Sequence, residues 1–321
     1  MTQLGNAGPA SYGAPGTPTA DGFESTPQRV RRTLRTRPAE SVFRRSAYTV
    51  GNLFRGDDYP HRLAEAVAGA QAPVATGRRI AVVGSRGGAG KTTVAALLGS
   101  VYASMRTDAV AVLDNAPSGG TLALRTGVPD APPLDTAAGE LARRQPSSLA
   151  DLTALLTPAG RGNLLVTGRR GLGTPTAPDD AAGALSLAIS RFCPITVLDC
   201  GTGLDLHSTR WALSRSHLAV FATPASVAGI EDANLYAAAW RRDPALASVP
   251  LLVVVVRTTP DGPFRPTAEA RRLTRTGIDA VGLGYDRHLG AGVEISLGLL
   301  ARRTRLEAAS LAAGVLARAS A

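Results

Sequence analysis

Lysine is almost missing from this 321-residue chain: of 35 basic residues one is lysine, Lys91, and the rest are arginine. Aromatic residues are scarce too, 4% against 44% hydrophobic residues in all, so a core has to be built from Ala, Val and Leu. Cysteine occurs twice, at Cys193 and Cys200. Two thiols make no disulfide framework, which points to a reducing compartment. The four histidines, His61, His207, His217 and His288, are scattered without metal-ligand spacing. No Ser/His/Asp set can be argued from spacing, and no repeat of solenoid period is visible. The longest strongly apolar run, Leu251 to Val256, is far too short to cross a bilayer. Residues 1–18 carry neither a basic n-region nor an apolar h-region, so no signal peptide is expected. The chain is therefore expected to be cytoplasmic, or peripheral at a membrane face. Acidic residues are outnumbered, 25 against 35, and the formal net charge of +10 favours acidic partners: nucleic acid, anionic lipid or nucleotide. A bias toward Arg, Ala, Gly and Pro along the whole chain is the alternative source of that charge.

What is present falls into two parts. Residues 1 to about 28 are rich in Pro, Gly, Thr and Ser and are expected to be disordered. A basic cluster follows, Arg29 to Arg45, with Val30, Leu34, Val42 and Phe43 interleaved and Pro38 interrupting any single helix. A short helix at Pro60–Gly69 and a linker at Ala72–Gly77 complete a head of residues 1–77. From Arg78 the pattern changes. Short, fully apolar runs of the buried parallel-strand kind appear at Ile80–Val83, Val110–Leu113, Leu164–Val166, Ile195–Leu198, Leu218–Phe221 and Leu251–Val256, with a seventh at Ala280–Leu283. Helical stretches are expected at Gly90–Met105, Thr121–Arg125, Ser147–Leu156, Asp179–Arg191, Ser226–Arg241, Pro266–Arg275, Val293–Leu300 and Thr304–Ala319. Strands alternating with helices predict an α/β domain over residues 78–321: a mostly parallel, twisted sheet with helices on both faces.

The lone lysine falls where the first strand turns into the first helix, in Gly84-Ser85-Arg86-Gly87-Gly88-Ala89-Gly90-Lys91-Thr92-Thr93. Net charge does not distinguish Lys from Arg. Shape does: a phosphate cradle takes a compact ammonium on a slim stem, and a planar guanidinium is too wide. Gly87, Gly88 and Gly90 let consecutive backbone N–H groups converge on one centre, with Ala89 between them. Lys91 then reaches the β/γ-phosphates, Thr92 offers a hydroxyl to Mg²⁺, and the helix dipole adds to the anion site, with Thr93 in its first turn. Asp114 ends the second apolar run and Asp199 the fourth. Both sit at carboxyl ends of strands, where open α/β sheets bind ligands, and a carboxylate there can hold Mg²⁺ through waters.

The loop resembles the deviant Walker A motif of the MinD/ParA family, written basic-G-G-x-G-K-T-T; here it reads Arg86-Gly87-Gly88-Ala89-Gly90-Lys91-Thr92-Thr93, with Ser85 where the strict P-loop pattern has glycine. The resemblance implies a P-loop ATPase fold over Arg78 to Ala321, bound ATP and Mg²⁺, and an ATP-dependent homodimer. In the family the signature basic residue is a lysine that reaches the partner's nucleotide; Arg86 stands there in this chain. Asp199-Cys200-Gly201-Thr202-Gly203 looks like the family's Walker B run, and Asp114-Asn115-Ala116-Pro117 like switch I. There Ala116 replaces the residue that positions the attacking water, so nucleotide binding with slow or weak hydrolysis is expected, Lys91, Asp114 and Arg86 being the catalytic candidates. Relatives place an Asn against adenine after the sixth strand; this chain has Arg257. GTP-specific relatives need a lysine outside the phosphate loop, which this chain lacks, so ATP is expected.

Phe43 to Val50 upstream, and Gly284-Tyr285-Asp286 with a terminal helix pair downstream, are similar to actinobacterial MinD-like ATPases found with type VII (ESX) secretion loci. That similarity implies a regulatory ATPase of the secretion machinery or of cell-pole organisation. Two other readings stay open: a partition-type module that binds DNA non-specifically, and a nucleotide-binding scaffold without hydrolysis. The Arg29–Arg45 segment suits anionic lipid, DNA phosphates or its own ATPase domain. The last helix, with Arg302, Arg303 and Arg305 ahead of Leu306, Leu311, Val315 and Leu316, is expected to pack on the sheet rather than enter a membrane.

Overall fold

The computed structural model describes residues 58–321, without 118, 144, 145, 161 and 169–178 and without the side chains of 142 and 179–184. The Arg29–Arg45 cluster and the Phe43–Val50 stretch lie outside the described residues. Among the described residues eight strands form one sheet: β1 (Arg78–Val83), β2 (Val110–Asn115), β3 (Thr157–Ala159), β4 (Leu164–Val166), β5 (Ile195–Cys200), β6 (Leu218–Pro224), β7 (Leu251–Val256) and β8 (Ala280–Leu283). Their order is β3-β4-β2-β5-β1-β6-β7-β8. Every pair runs parallel except β3 with β4.

Both faces of the sheet are covered, so successive strand residues are buried in opposite directions and the strands read as unbroken apolar runs. Ile80 and Val82 join Val110 and Val112 in one core, Ala81 and Val83 join Ala111 and Leu113 in the other. The first core lies under α2 (Lys91–Met105) and the terminal helix α12 (Arg302–Ser320). The second lies under α4 (Leu134–Arg143), α6 (Asp179–Phe192), α7 (His207–Ser214), α8 (Val227–Arg242) and α10 (Pro266–Arg275). The short helices α3 (Leu122–Arg125), α5 (Leu149–Thr153), α9 (Pro244–Ala247) and α11 (Arg287–Gly290) sit in connections.

Helix α2 is apolar almost all round because it is sandwiched between the sheet and α12. Gly99 is what lets it press onto β2: a Cβ there would lie 2.2 Å from Val112 Cγ2. On its other side the buried Tyr102 hydroxyl donates to Ala312 O at 2.6 Å, tying α2 to α12. The terminal helix therefore packs into the domain, burying Leu311, Val315 and Leu316. Helix α1 (Tyr59–Ala70) packs in turn on α12 and contributes the fully buried Ala70. The packed body thus begins ahead of Arg78, and α1 belongs to it rather than to the head.

One expected helix is not formed. Val293–Leu300 is an irregular segment with a single 3₁₀ turn at Leu297–Leu299. Its amides are taken by partners from elsewhere: Ile295 N donates to Arg125 O at 2.8 Å and Ser296 N to His288 Nε2 at 2.9 Å. Its far end is fixed where Ala301 N donates to Asp286 Oδ2 at 2.9 Å. A backbone pinned this way cannot run its own i to i−4 ladder.

Candidate functional site

The loop between β1 and α2 sits at the carboxyl end of the central strand, where β1 lies between β5 and β6. Gly88 and Gly90 have φ of +74° and +95°, left-handed values that a side chain strains against. Cβ atoms at Gly87 or Gly88 would meet nothing within 4 Å, so this stretch of loop faces open space. Lys91 is buried, and its stem runs under Gly84, where a Cβ would lie 3.2 Å from Lys91 Cγ and Cδ. The Lys91 ammonium donates to Arg86 O at 2.9 Å and to Thr202 Oγ1 at 2.8 Å. Burial lowers its pKa, and the nearby Asp199 carboxyl opposes that shift.

Asp114 and Asp199 are register partners on neighbouring strands β2 and β5, and both are buried. Burial, and then the Asp114 charge, push Asp199 up to about 7, while the Thr92 hydroxyl hydrogen-bonded to it opposes the shift. Asp199 Oδ1 has no hydrogen-bond partner among the described residues. Asp114 is fixed by its backbone N donating to Thr167 Oγ1 at 2.8 Å, and its Oδ1 accepts from Ala116 N at 3.1 Å. Gly120 lies against the same carboxylate: a Cβ there would be 1.8 Å from Asp114 Oδ2. Two buried carboxylates side by side repel unless a cation relieves them. With an unfilled carboxylate oxygen and a threonine hydroxyl beside them, the donor set is oxygen only and fits Mg²⁺. Among the described residues there is no cluster of three or more His, Cys, Asp or Glu.

Two neighbours of this centre are committed elsewhere. Asn115 Nδ2 donates to Ser208 O at 2.8 Å, which holds the amide on the α7 side. Arg86 forms a bidentate pair with Asp232 of α8, Nε to Oδ2 at 2.5 Å and Nη2 to Oδ1 at 3.1 Å. Ser85 Oγ adds a third bond to Asp232 Oδ2 at 2.6 Å. The pairing holds the Asp232 carboxyl below its usual range and the Arg86 guanidinium above its own.

A cavity of about 310 Å³ opens beside the loop. Gly88, Ala89, Gly90, Lys91, Thr92 and Thr93 form one wall. Thr121 ahead of α3, Arg125 in it, residues 256–258 at the end of β7, residues 283–286 at the end of β8, and Leu289 and Gly290 of α11 form the rest. Asp199 reaches this cavity through Thr92, with Asp114 next to it; Arg86 and Gly87 stand outside its lining. Arg125 is a second cation that the sequence reading missed. Its Nη1 donates to Leu289 O at 2.8 Å, and burial lowers its pKa while Asp199 opposes that. Arg257 does not reach in with its guanidinium, which holds its own loop by donating to Pro260 O at 2.6 Å and Gly262 O at 2.9 Å. Asp286 caps α11 and ties it to Ala301, fixing the wall that carries Tyr285.

No family model matches the chain. Among curated proteins it is 34% identical over 238 residues to the ESX-1 secretion-associated protein EspI of Mycobacterium tuberculosis, a match covering 69% of this chain. The chain spans about a third of that relative's length, 34%. Among solved structures it is similar to a ParA family ATPase from Chlorobium tepidum TLS, at 15% identity and TM-score 0.58, covering 72% of this chain and 96% of that one. It is also similar to the septum site-determining protein MinD complexed with Mg-ADP from Pyrococcus horikoshii OT3, at 17% identity and TM-score 0.51, covering 72% and 94% of the two chains. No helix among the described residues is long and apolar enough to cross a membrane. The chain thus has the fold of the MinD and ParA ATPase structures, and over its matched region its sequence is similar to an ESX-1 secretion-associated protein.

Proposed function

We propose that the chain binds ATP with Mg²⁺ and works as a nucleotide-gated dimeric switch serving type VII secretion. One observation carries the reading: Lys91, Thr92, Asp114 and Asp199 converge at the carboxyl ends of β1, β2 and β5, beside a glycine loop that is open to solvent. The loop amides and Lys91 bind the β/γ-phosphates. Thr92, Asp114 and Asp199 hold the cation, directly or through water, and when bound it neutralises phosphate charge. Adenine is the base, because a guanine-reading motif needs a lysine outside the loop and the chain has none.

Turnover is slow in this reading. Ala116 offers a methyl where relatives carry a polar side chain, and the Asn115 amide is occupied by Ser208 O. Dimerisation finds support on α8, which carries Asp232 and leaves Val227 and Leu235 exposed at 66% and 65%. Eight residues apart on a helix, they share a face. Arg86, 51% exposed and held by Asp232, stands ready at that surface to meet a partner chain's nucleotide. The net charge of +10 and the Arg29–Arg45 cluster suit an anionic surface, membrane or DNA. The secretion assignment follows the EspI relative, and a component of that machinery is the proposed partner.

Sizing of the purified chain with and without ATP and Mg²⁺, beside Arg86→Ala, tests this. The parent is expected to double in mass with ATP and Mg²⁺. The variant is expected to bind ATP but remain a monomer. A parent of unchanged size that has taken up ATP defeats the switch.

A further inference from the structure

A second cavity, of about 560 Å³, lies away from the glycine loop along the outer edge of β8. Among the described residues β8 ends the sheet and pairs with β7 alone. Asp279 and Leu283 give their carbonyls to Val253 and Arg257 of that side. By the alternation of a parallel ladder, Ala280 and Gly282 therefore turn their N–H and C=O groups outward. The edge is not left flat and open: it forms the floor of a slot. Helix α10 makes one wall with Thr267, Ala270 and Arg271, and α12 makes the other with Arg303, Leu306 and Leu311. Gly282 sets the slot's shape, since a Cβ there would lie 2.5 Å from the Thr267 backbone N and push α10 away. Arg62 of α1 stands at the rim.

We infer that the outer edge of β8 receives an extended acidic segment of a partner protein as a ninth strand. Backbone pairing with Ala280 and Gly282 gives the affinity, the apolar walls take alternate side chains, and the arginines read the charge. Three arginines line the slot, Arg62, Arg271 and Arg303. Glu307, the carboxylate among the lining residues, is already occupied by Gly284 N at 2.8 Å and Arg303 Nε at 2.6 Å. Arg62 and Arg271 make no side-chain hydrogen bond or ion pair within the described residues, so their charge is available to a ligand. The same charge argues against two other occupants. The chain's own Arg29–Arg45 segment carries the wrong sign, and a second copy paired edge to edge would set arginine rims against each other.

Two fluorescein-labelled peptides test this on the full chain by anisotropy, acetyl-Glu-Val-Glu-Val-Glu-Val-amide and its lysine counterpart, with hydrogen exchange at the Ala280 and Gly282 amides. The acidic peptide is expected to bind and to slow exchange at both amides, and the lysine peptide to do neither. Arg62→Glu with Arg271→Glu should weaken binding about tenfold. Ala280→Pro, which removes an outward N–H at an edge position that tolerates proline, should abolish binding while ATP uptake stays intact. Should that variant fail to fold, the charge pair and the amide exchange decide. Equal binding of both peptides overturns the inference, and so does acidic binding that neither substitution changes. Amides already protected in the free, monomeric full chain also overturn it, because its own chain then fills the slot.

Discussion

Replacing Lys91 by methionine separates the role of the ammonium from the role of its stem. The stem packs under Gly84 and methionine keeps its volume. Without nucleotide, the substitution loses the bonds to Arg86 O and Thr202 Oγ1 but also removes a charge from a buried position. These effects oppose each other, and the urea unfolding midpoint should report a net change within about 1 kcal/mol. With nucleotide the balance is one-sided. Two charge-assisted bonds to phosphate oxygens contribute about 1.5–3 kcal/mol each, so ATP affinity should fall about 10²- to 10⁴-fold. Calorimetric titration with ATP and Mg²⁺ measures the affinity directly. A parallel unfolding series should show that ATP at about a hundred times its Kd adds about 2.7 kcal/mol to the parent and nothing comparable to the variant. If Lys91→Met folds normally and binds ATP within about threefold of the parent, the ammonium is not a phosphate ligand and the reasoning fails.

Three further outcomes are expected. Asn115→Ala should cost about 1–2 kcal/mol in urea unfolding, because Ser208 O loses its donor, while ATP turnover stays unchanged; a fall in turnover would show that Asn115 takes part in hydrolysis. Ala116→Asp should raise phosphate release at least about tenfold by placing a polar group where relatives carry one, and no increase would show that the missing group is not what limits turnover. His288 is buried and its pKa is lowered by that burial, with Arg125 adding to the shift and Asp286 and Glu294 opposing it. As pH falls through about 6.5 the unfolded chain takes up this proton first, so the His288 contribution to stability should fall with it, against the opposite contribution of the raised Asp199. His288→Gln, which keeps an acceptor for Ser296 N, should flatten that loss between about pH 7 and 5; an unchanged pH profile would remove His288 as its source.

The sheet was readable because its strands are buried on both faces. Val110–Leu113 or Leu251–Val256 admits little but a covered parallel strand, and Gly90–Met105 follows its loop as a P-loop helix must. β3 was not readable: Thr157-Pro158-Ala159 is three residues long and carries a proline, which only an edge position accommodates. Helix α7 also escaped, since it opens on His207-Ser208-Thr209 and its N-cap Leu206 makes no side-chain capping bond. Val293–Leu300 has helix-compatible residues, and it is Arg125, His288 and Asp286, all distant in sequence, that prevent the helix. The site divides the same way. Lys91, Thr92, Asp114 and Asp199 stand at strand ends or in a patterned loop, so their position follows from local sequence. Thr202 lies in the run that opens at Asp199, but its bond to Lys91 depends on the β5–α7 connection, and Asp232 and Arg125 join the site only through the folding of α8 and α3, which nothing in their neighbours announces.

The central claim is that the glycine loop and its lone ammonium cradle a triphosphate tail beside a paired-carboxylate cation site. Titrating the folded full chain with ATP and with GTP, Mg²⁺ present, tests it most directly. The account predicts uptake of one ATP per chain, weaker uptake of GTP, and loss of both on chelation of the cation or in Lys91→Met. Folded protein that takes up neither nucleotide would contradict it.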